Sequence, residues 1–136
     1  MSTIIEVLNV ILDNKDKLTE VARDDAGKIY FRYAGPRVWT VELTYDGEVV
    51  VRVYPLSDGL AAIPLSRIAS NKDWDADSET KAISQALQSH IIYSSDEWTS
   101  REAKATFKDL YKRLLERSHH VDKYFEEIIS GSPQRL

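Results

Sequence analysis

Three short stretches of the 136-residue chain bring ionisable side chains together at spacings that could support chemistry. In the first, Asp73, Asp75 and Asp77 alternate like the opening ligands of a calcium loop. Such a loop needs a glycine at its sixth place for the turn and a bidentate glutamate at its twelfth. Ser78 and Ser84 stand there instead, so these carboxylates read better as favourable charge at the start of a helix capped by Asp77 or Ser78. In the second, Glu116 and His119 sit three residues apart with His120 beside them. They share a helix face and could share a metal, but a di-iron centre needs a second such pair and further inward glutamates. The third is a basic stripe, Arg101, Lys104, Lys108, Lys112 and Arg113, interleaved with Asp109 and Glu116 at ion-pairing distance along a helix.

Other chemistries lack their residues. With no cysteine, disulfides, thiolate metal sites and a cysteine nucleophile are excluded. There is no G-x-S-x-G elbow, no P-loop and no G-x-G-x-x-G turn, and the glycines fall at turns and helix ends. The third histidine, His90, borders an apolar helix stripe, the usual place of a hydrogen-bonded boundary histidine. No catalytic residue, metal ligand or cofactor is therefore assigned. The candidates for binding are aromatic and cationic: Tyr30, Arg32, Arg52, Tyr54, Trp74 and Trp98, residue types enriched at protein interfaces.

These candidates hang on a meander over residues 28–54. Ile29, Phe31 and Tyr33, then Trp39, Val41 and Leu43, then Val49, Val51 and Val53 alternate with more polar positions, as strands with one buried face do. Gly35-Pro36 and Asp46-Gly47 separate the runs. A two-residue turn at Asp46-Gly47 would put the valines opposite the wrong face. A three-residue turn at 45–47, with Gly47 left-handed in a bulge, pairs Leu43 with Val49, Val41 with Val51 and Trp39 with Val53. The same spacing about Gly35-Pro36-Arg37 pairs Tyr33 with Trp39, Phe31 with Val41 and Ile29 with Leu43. Tyr30, Arg32, Arg52 and Tyr54 then fall on or near the opposite face, either beneath a helix or open to a partner.

Helices are expected on both sides of the meander. The first spans 4–22 unless Asp13-Asn14, which weakens its middle, kinks it or ends it early; Thr3 and Glu6 form a capping box, Ile4, Leu8, Ile11, Leu18 and Val21 face inward, and Asp24–Gly27 close it. Leu60–Ile63 offers a fourth strand, and one helical turn fits Leu65–Ser70. A helix from Asp77 or Ser78 to Tyr93 turns Ile83, Leu87 and Ile91 inward. The last begins with a Thr99–Glu102 capping box and carries Phe107, Leu110, Leu114, Val121, Phe125 and Ile128 towards Gly131 and Pro133. Unbroken, it would run about 30 residues and roughly 45 Å, so it either kinks near Ser118-His119-His120 or packs in part on another molecule.

The fold class expected is α+β: an N-terminal helix, a three- or four-stranded antiparallel meander, then two or more C-terminal helices including one long one. Residues 1–131 form a single domain and 132–136 a loose tail. A net charge of -4 opposes general attraction to phosphate backbones. The first residues lack the pattern of a signal peptide or membrane span, which favours the cytoplasm. Function is expected to be that of a small, acidic, non-enzymatic protein-binding module, chaperone-, immunity- or regulator-like in architecture alone, whose partner is another protein or its own second copy in a homodimer. Two rivals are a small-ligand-binding protein or enzyme with a pocket between sheet and helices, and nucleic-acid binding through the basic stripe.

Overall fold

A computed structural model describes residues 3–71, 77–120 and 126–130. Helix α1 (Ile4–Asp13) leads into strands β1 (Leu18–Arg23), β2 (Ile29–Tyr33), β3 (Val38–Leu43) and β4 (Val49–Val53). Helices α2 (Leu65–Ala69) and α3 (Ser78–Gln88) follow, then strand β5 (Ile91–Ser94) and the long helix α4 (Arg101–Ser118). The five strands form one antiparallel sheet in the order β1-β2-β3-β4-β5, each beside its neighbour in sequence. The fold is α+β, with two more strands than the meander alone supplies.

Both added strands come out of segments expected to be helical. Helix α1 is N-capped by Thr3, whose hydroxyl accepts from the Glu6 N–H, and it takes the early end at Asp13 rather than running on to residue 22. Asn14 leaves the helical conformation and turns its carboxamide back to donate to the Val10 carbonyl. A 3-10 turn at Lys15–Lys17 then feeds β1. Likewise α3 stops at Gln88, where Ser89 becomes extended, and Ile91 lies in a strand rather than on a helix face. The expected fourth strand at 60–63 is absent; Ser57–Leu60 is a 3-10 turn instead.

The β3–β4 hairpin has the expected register, Trp39 opposite Val53, Val41 opposite Val51 and Leu43 opposite Val49. Gly47 is left-handed at φ 86°, with its N–H donating to the Thr44 carbonyl. The β2–β3 hairpin is slipped by two residues: Phe31 faces Trp39 and Ile29 faces Val41. The longer loop turns at Ala34, left-handed at φ 53°, whose N–H donates to the Lys17 carbonyl outside the hairpin. A slip of two keeps side-chain parity, so the same residues face the same side.

That side is the first core. Ile29, Phe31, Val41, Val49 and Val51 are buried against Leu8 and Ile11 of α1 and Phe107, Leu110 and Leu114 of α4. Trp39 stacks on Phe31, half-buried, whereas Leu43 at the end of its strand is half exposed. The second face carries a core of its own, in which Tyr30, Val38 and Tyr54 pack with Leu60, Leu65, Ile68 and Ile83. The sheet is therefore covered on both faces, by α1 and α4 on one and by α2 and α3 on the other.

Helix α4 is capped by Ser100 rather than Thr99, its hydroxyl accepting from the Ala103 N–H. It ends at Ser118, with His119 leaving the helix and His120 left-handed at φ 56°. Residues 126–130 are helical again, with Ile128 exposed rather than inward. Val121, Phe125, Gly131 and Pro133, with the expected tail 132–136, lie outside the described residues.

Candidate functional site

The second face of the sheet is where four of the six candidate binding residues converge, and the α2–α3 layer covers most of them. Tyr30, Arg32 and Tyr54 are at most 8% exposed. The Arg32 guanidinium is spent on structure. Its Nε donates to the Pro36 carbonyl (2.8 Å), Nη2 to Leu60 (2.9 Å), and Nη1 to both the Ile63 carbonyl (3.0 Å) and the Glu20 carboxylate (2.7 Å). The other Glu20 oxygen accepts from the Leu65 N–H at the start of α2 (2.5 Å). One ion pair thus ties two strands, a hairpin loop and a helix N-terminus together.

Tyr54 shares a hydrogen bond with Thr40 (3.3 Å), and the His90 ring meets its edge at 5.8 Å. Arg52 is half-buried and paired with Glu42 across the β3–β4 hairpin. Burial, reinforced by the charge of Asp24, raises the Tyr30 phenol well above its ordinary range, so it remains a protonated donor. Trp98 is half-buried and packs against the first core. Trp74 and Asp73–Ala76 lie outside the described residues. Asp77 does cap α3, and the Thr80 backbone and side-chain hydrogen bonds hold its carboxyl below the usual range.

Elsewhere the chemistry-bearing spacings resolve into local contacts. The Arg23 guanidinium meets the His119 ring at Nε2. Lys104 of the basic stripe stands 4.0 Å from Glu48. Among the described residues, no group of three His, Asp or Glu side chains is placed to hold a metal ion, and no helix is long and apolar enough to cross a membrane.

Two serines that sequence reasoning passed over hold strand starts in place. The buried Ser57 hydroxyl accepts from the Val38 N–H (2.7 Å) and donates to the Tyr54 carbonyl (2.5 Å). The buried Ser95 hydroxyl accepts from the Val49 N–H (2.9 Å) and donates to Glu48. Buried strand donors need partners, and side chains on the neighbouring turns supply them.

The sheet's two edges are treated differently. Strand β1 is broken by a bulge between Leu18 and Glu20, carries Glu20 and Arg23, and is flanked by α2 and α4. Bulges, charges and covering helices are the devices that keep edges from pairing with other chains. Strand β5 is built differently: Ile-Ile-Tyr-Ser pairs with β4, without charge, proline or bulge, and among the described residues no helix packs closely on it. Ile91 is 47% and Ile92 46% exposed, one continuing the Val53 row on the first face and the other the Arg52 row on the second. Among the described residues this is the sheet edge without a bulge or a charge. Comparison of the chain with family models, curated proteins and solved structures returns no match. The signal for β5 was nevertheless in the sequence: Ile91-Ile92-Tyr93 is a β-branched and aromatic run directly after Ser89-His90.

Proposed function

We propose that this protein is a non-enzymatic protein-binding module that works by strand addition at β5 and pairs with a second copy of itself there. The observation that carries the reading is the uncharged, half-exposed Ile91-Ile92 pair on an edge lacking the protections given to β1. An added strand gains main-chain hydrogen bonds along its length, and alternate side chains extend both faces of the sheet. Self-pairing suits this strand in particular. Antiparallel pairing about a two-fold axis sets a strand against its own copy, where a charge near the axis would meet its own kind. Strand β5 carries none.

Light scattering coupled to size exclusion tests the reading. The wild-type chain is expected to elute as a dimer and Ile92→Lys as a folded monomer, because a lysine on each copy places like charges across the new ladder. A wild-type monomer at high concentration, or a dimer unaffected by Ile92→Lys, would overturn it.

A further inference from the structure

We infer that the cleft between α2, α3 and the second face of the sheet is a binding site for a small organic monocarboxylate with an apolar body. The cleft has a volume of about 520 Å³, inside the usual range for small-molecule sites of about 300–1,000 Å³. Its floor is Tyr30, which is only 8% exposed. Whereas the Tyr54 hydroxyl bonds to Thr40, no hydrogen bond to the Tyr30 hydroxyl forms among the described residues. Since no buried side-chain oxygen or nitrogen among the described residues lacks a partner, this hydroxyl reaches the water of the cleft, where a ligand acceptor can take water's place. Because burial and Asp24 keep the phenol protonated, what it offers the cleft is an O–H donor.

The lining sets the class of ligand. Lys81 is the one charged side chain among the described residues that line the cleft. It matches a single negative charge on the ligand. Asp24 and Glu42, which act on Tyr30 from outside the lining, disfavour a second one, and Arg52 pairs with Glu42. Ile68 and Leu87 provide apolar wall, and the Gln85 carboxamide can meet a polar substituent by donating or accepting. A carboxylate at Lys81, an apolar body over Ile68 and Leu87, and an acceptor atom at Tyr30 use these groups together. The site is independent of the β5 edge and requires no second copy.

Titration of the isotope-labelled full chain with benzoate, benzamide and inorganic phosphate, followed by amide NMR shifts, tests the assignment. Benzoate is expected to shift amides of α2 and α3 and to bind about tenfold tighter than benzamide, the worth of one charge-assisted hydrogen bond. Lys81→Met, on the solvent side of α3, should abolish that preference while the rest of the spectrum stays in place. Tyr30→Phe should weaken binding of a hydroxylated benzoate more than that of benzoate itself. Absence of cleft shifts with benzoate at about 20 mM, far above fragment-range affinity, would overturn the proposal. So would equal binding of benzamide, preference for phosphate, or an undiminished benzoate preference in Lys81→Met.

Discussion

Arg32 is accommodated beneath the α2–α3 layer because each of its guanidinium nitrogens has an oxygen to donate to. The Leu60 and Ile63 carbonyls and the Glu20 carboxylate would otherwise lie in or near the core with fewer donors. Removing one partner of a buried pair leaves the other uncompensated and costs about 3–5 kcal/mol. Because Glu20 keeps about a third of its side chain exposed (34%), water can recover part of that loss. We therefore expect Arg32→Met, which fills similar space without donors, to lower stability by about 3 kcal/mol. Glu20→Gln should cost less, since one amide oxygen can still accept. Urea unfolding of the two variants checks this, and an Arg32→Met protein as stable as wild type would show that the ion pair is dispensable. The fork of donors that marks Arg32 as an interface candidate in the sequence also makes it a buried staple that donates to oxygens of several elements. Only the carbonyls of residues 60 and 63, distant in sequence, distinguish the two.

At the scale of elements, turn chemistry governs register. Gly47 is left-handed, and a methyl group built on it would meet nothing within 4 Å. The cost of Gly47→Ala is then backbone conformation alone, about 1 kcal/mol. Gly47→Asn should cost less, because asparagine tolerates this region. Urea midpoints in the order wild type, Asn, Ala would establish the point, and an Ala variant equal to wild type would sink it. The β3–β4 register was legible because this demand and the valine alternation act within a single hairpin. The β2–β3 register was not, since the bond from the Ala34 N–H to Lys17 comes from outside the hairpin. Strands β1 and β5 were hidden for a related reason. Leu18 and Val21 continue the three- and four-residue steps of α1, and Ile91 those of α3, so periodicity runs through the breaks at Asn14 and Ser89. Tertiary pairing with β2 and β4 outcompetes local helix there. The proposed binding edge suffered most from this: a sheet read without β5 has no Ile91–Ile92 edge to consider.

At the scale of the whole molecule, the two layers share one sheet but are unequally attached to it. Helix α4 buries Ala103, Phe107, Leu110 and Leu114 and crosses β1 to β4, while α3 buries only Thr80 and Ile83. Helix α2 has five residues and depends on the Glu20–Leu65 bond for its start. Less apolar area therefore holds the second layer, and α3 should open before the sheet and α4 do, as a unit of lower stability. Native-state hydrogen exchange separates that case from all-or-none unfolding through a pair of substitutions. Ile83→Ala removes contacts already lost when α3 opens, so it lowers the opening free energy of α3 and of the sheet alike, by about 2–4 kcal/mol. Phe107→Ala removes contacts that survive α3 opening. It should lower the opening free energy of β2 and α4 amides by about 3–5 kcal/mol while leaving that of α3 unchanged until the two converge. If α3 amides in the wild-type chain exchange with the same free energy as those of β2, the two layers are one cooperative unit. A separately opening α3 would also give the cleft above Tyr30 a moving wall, so ligand occupancy should raise the protection of α3 amides before any others.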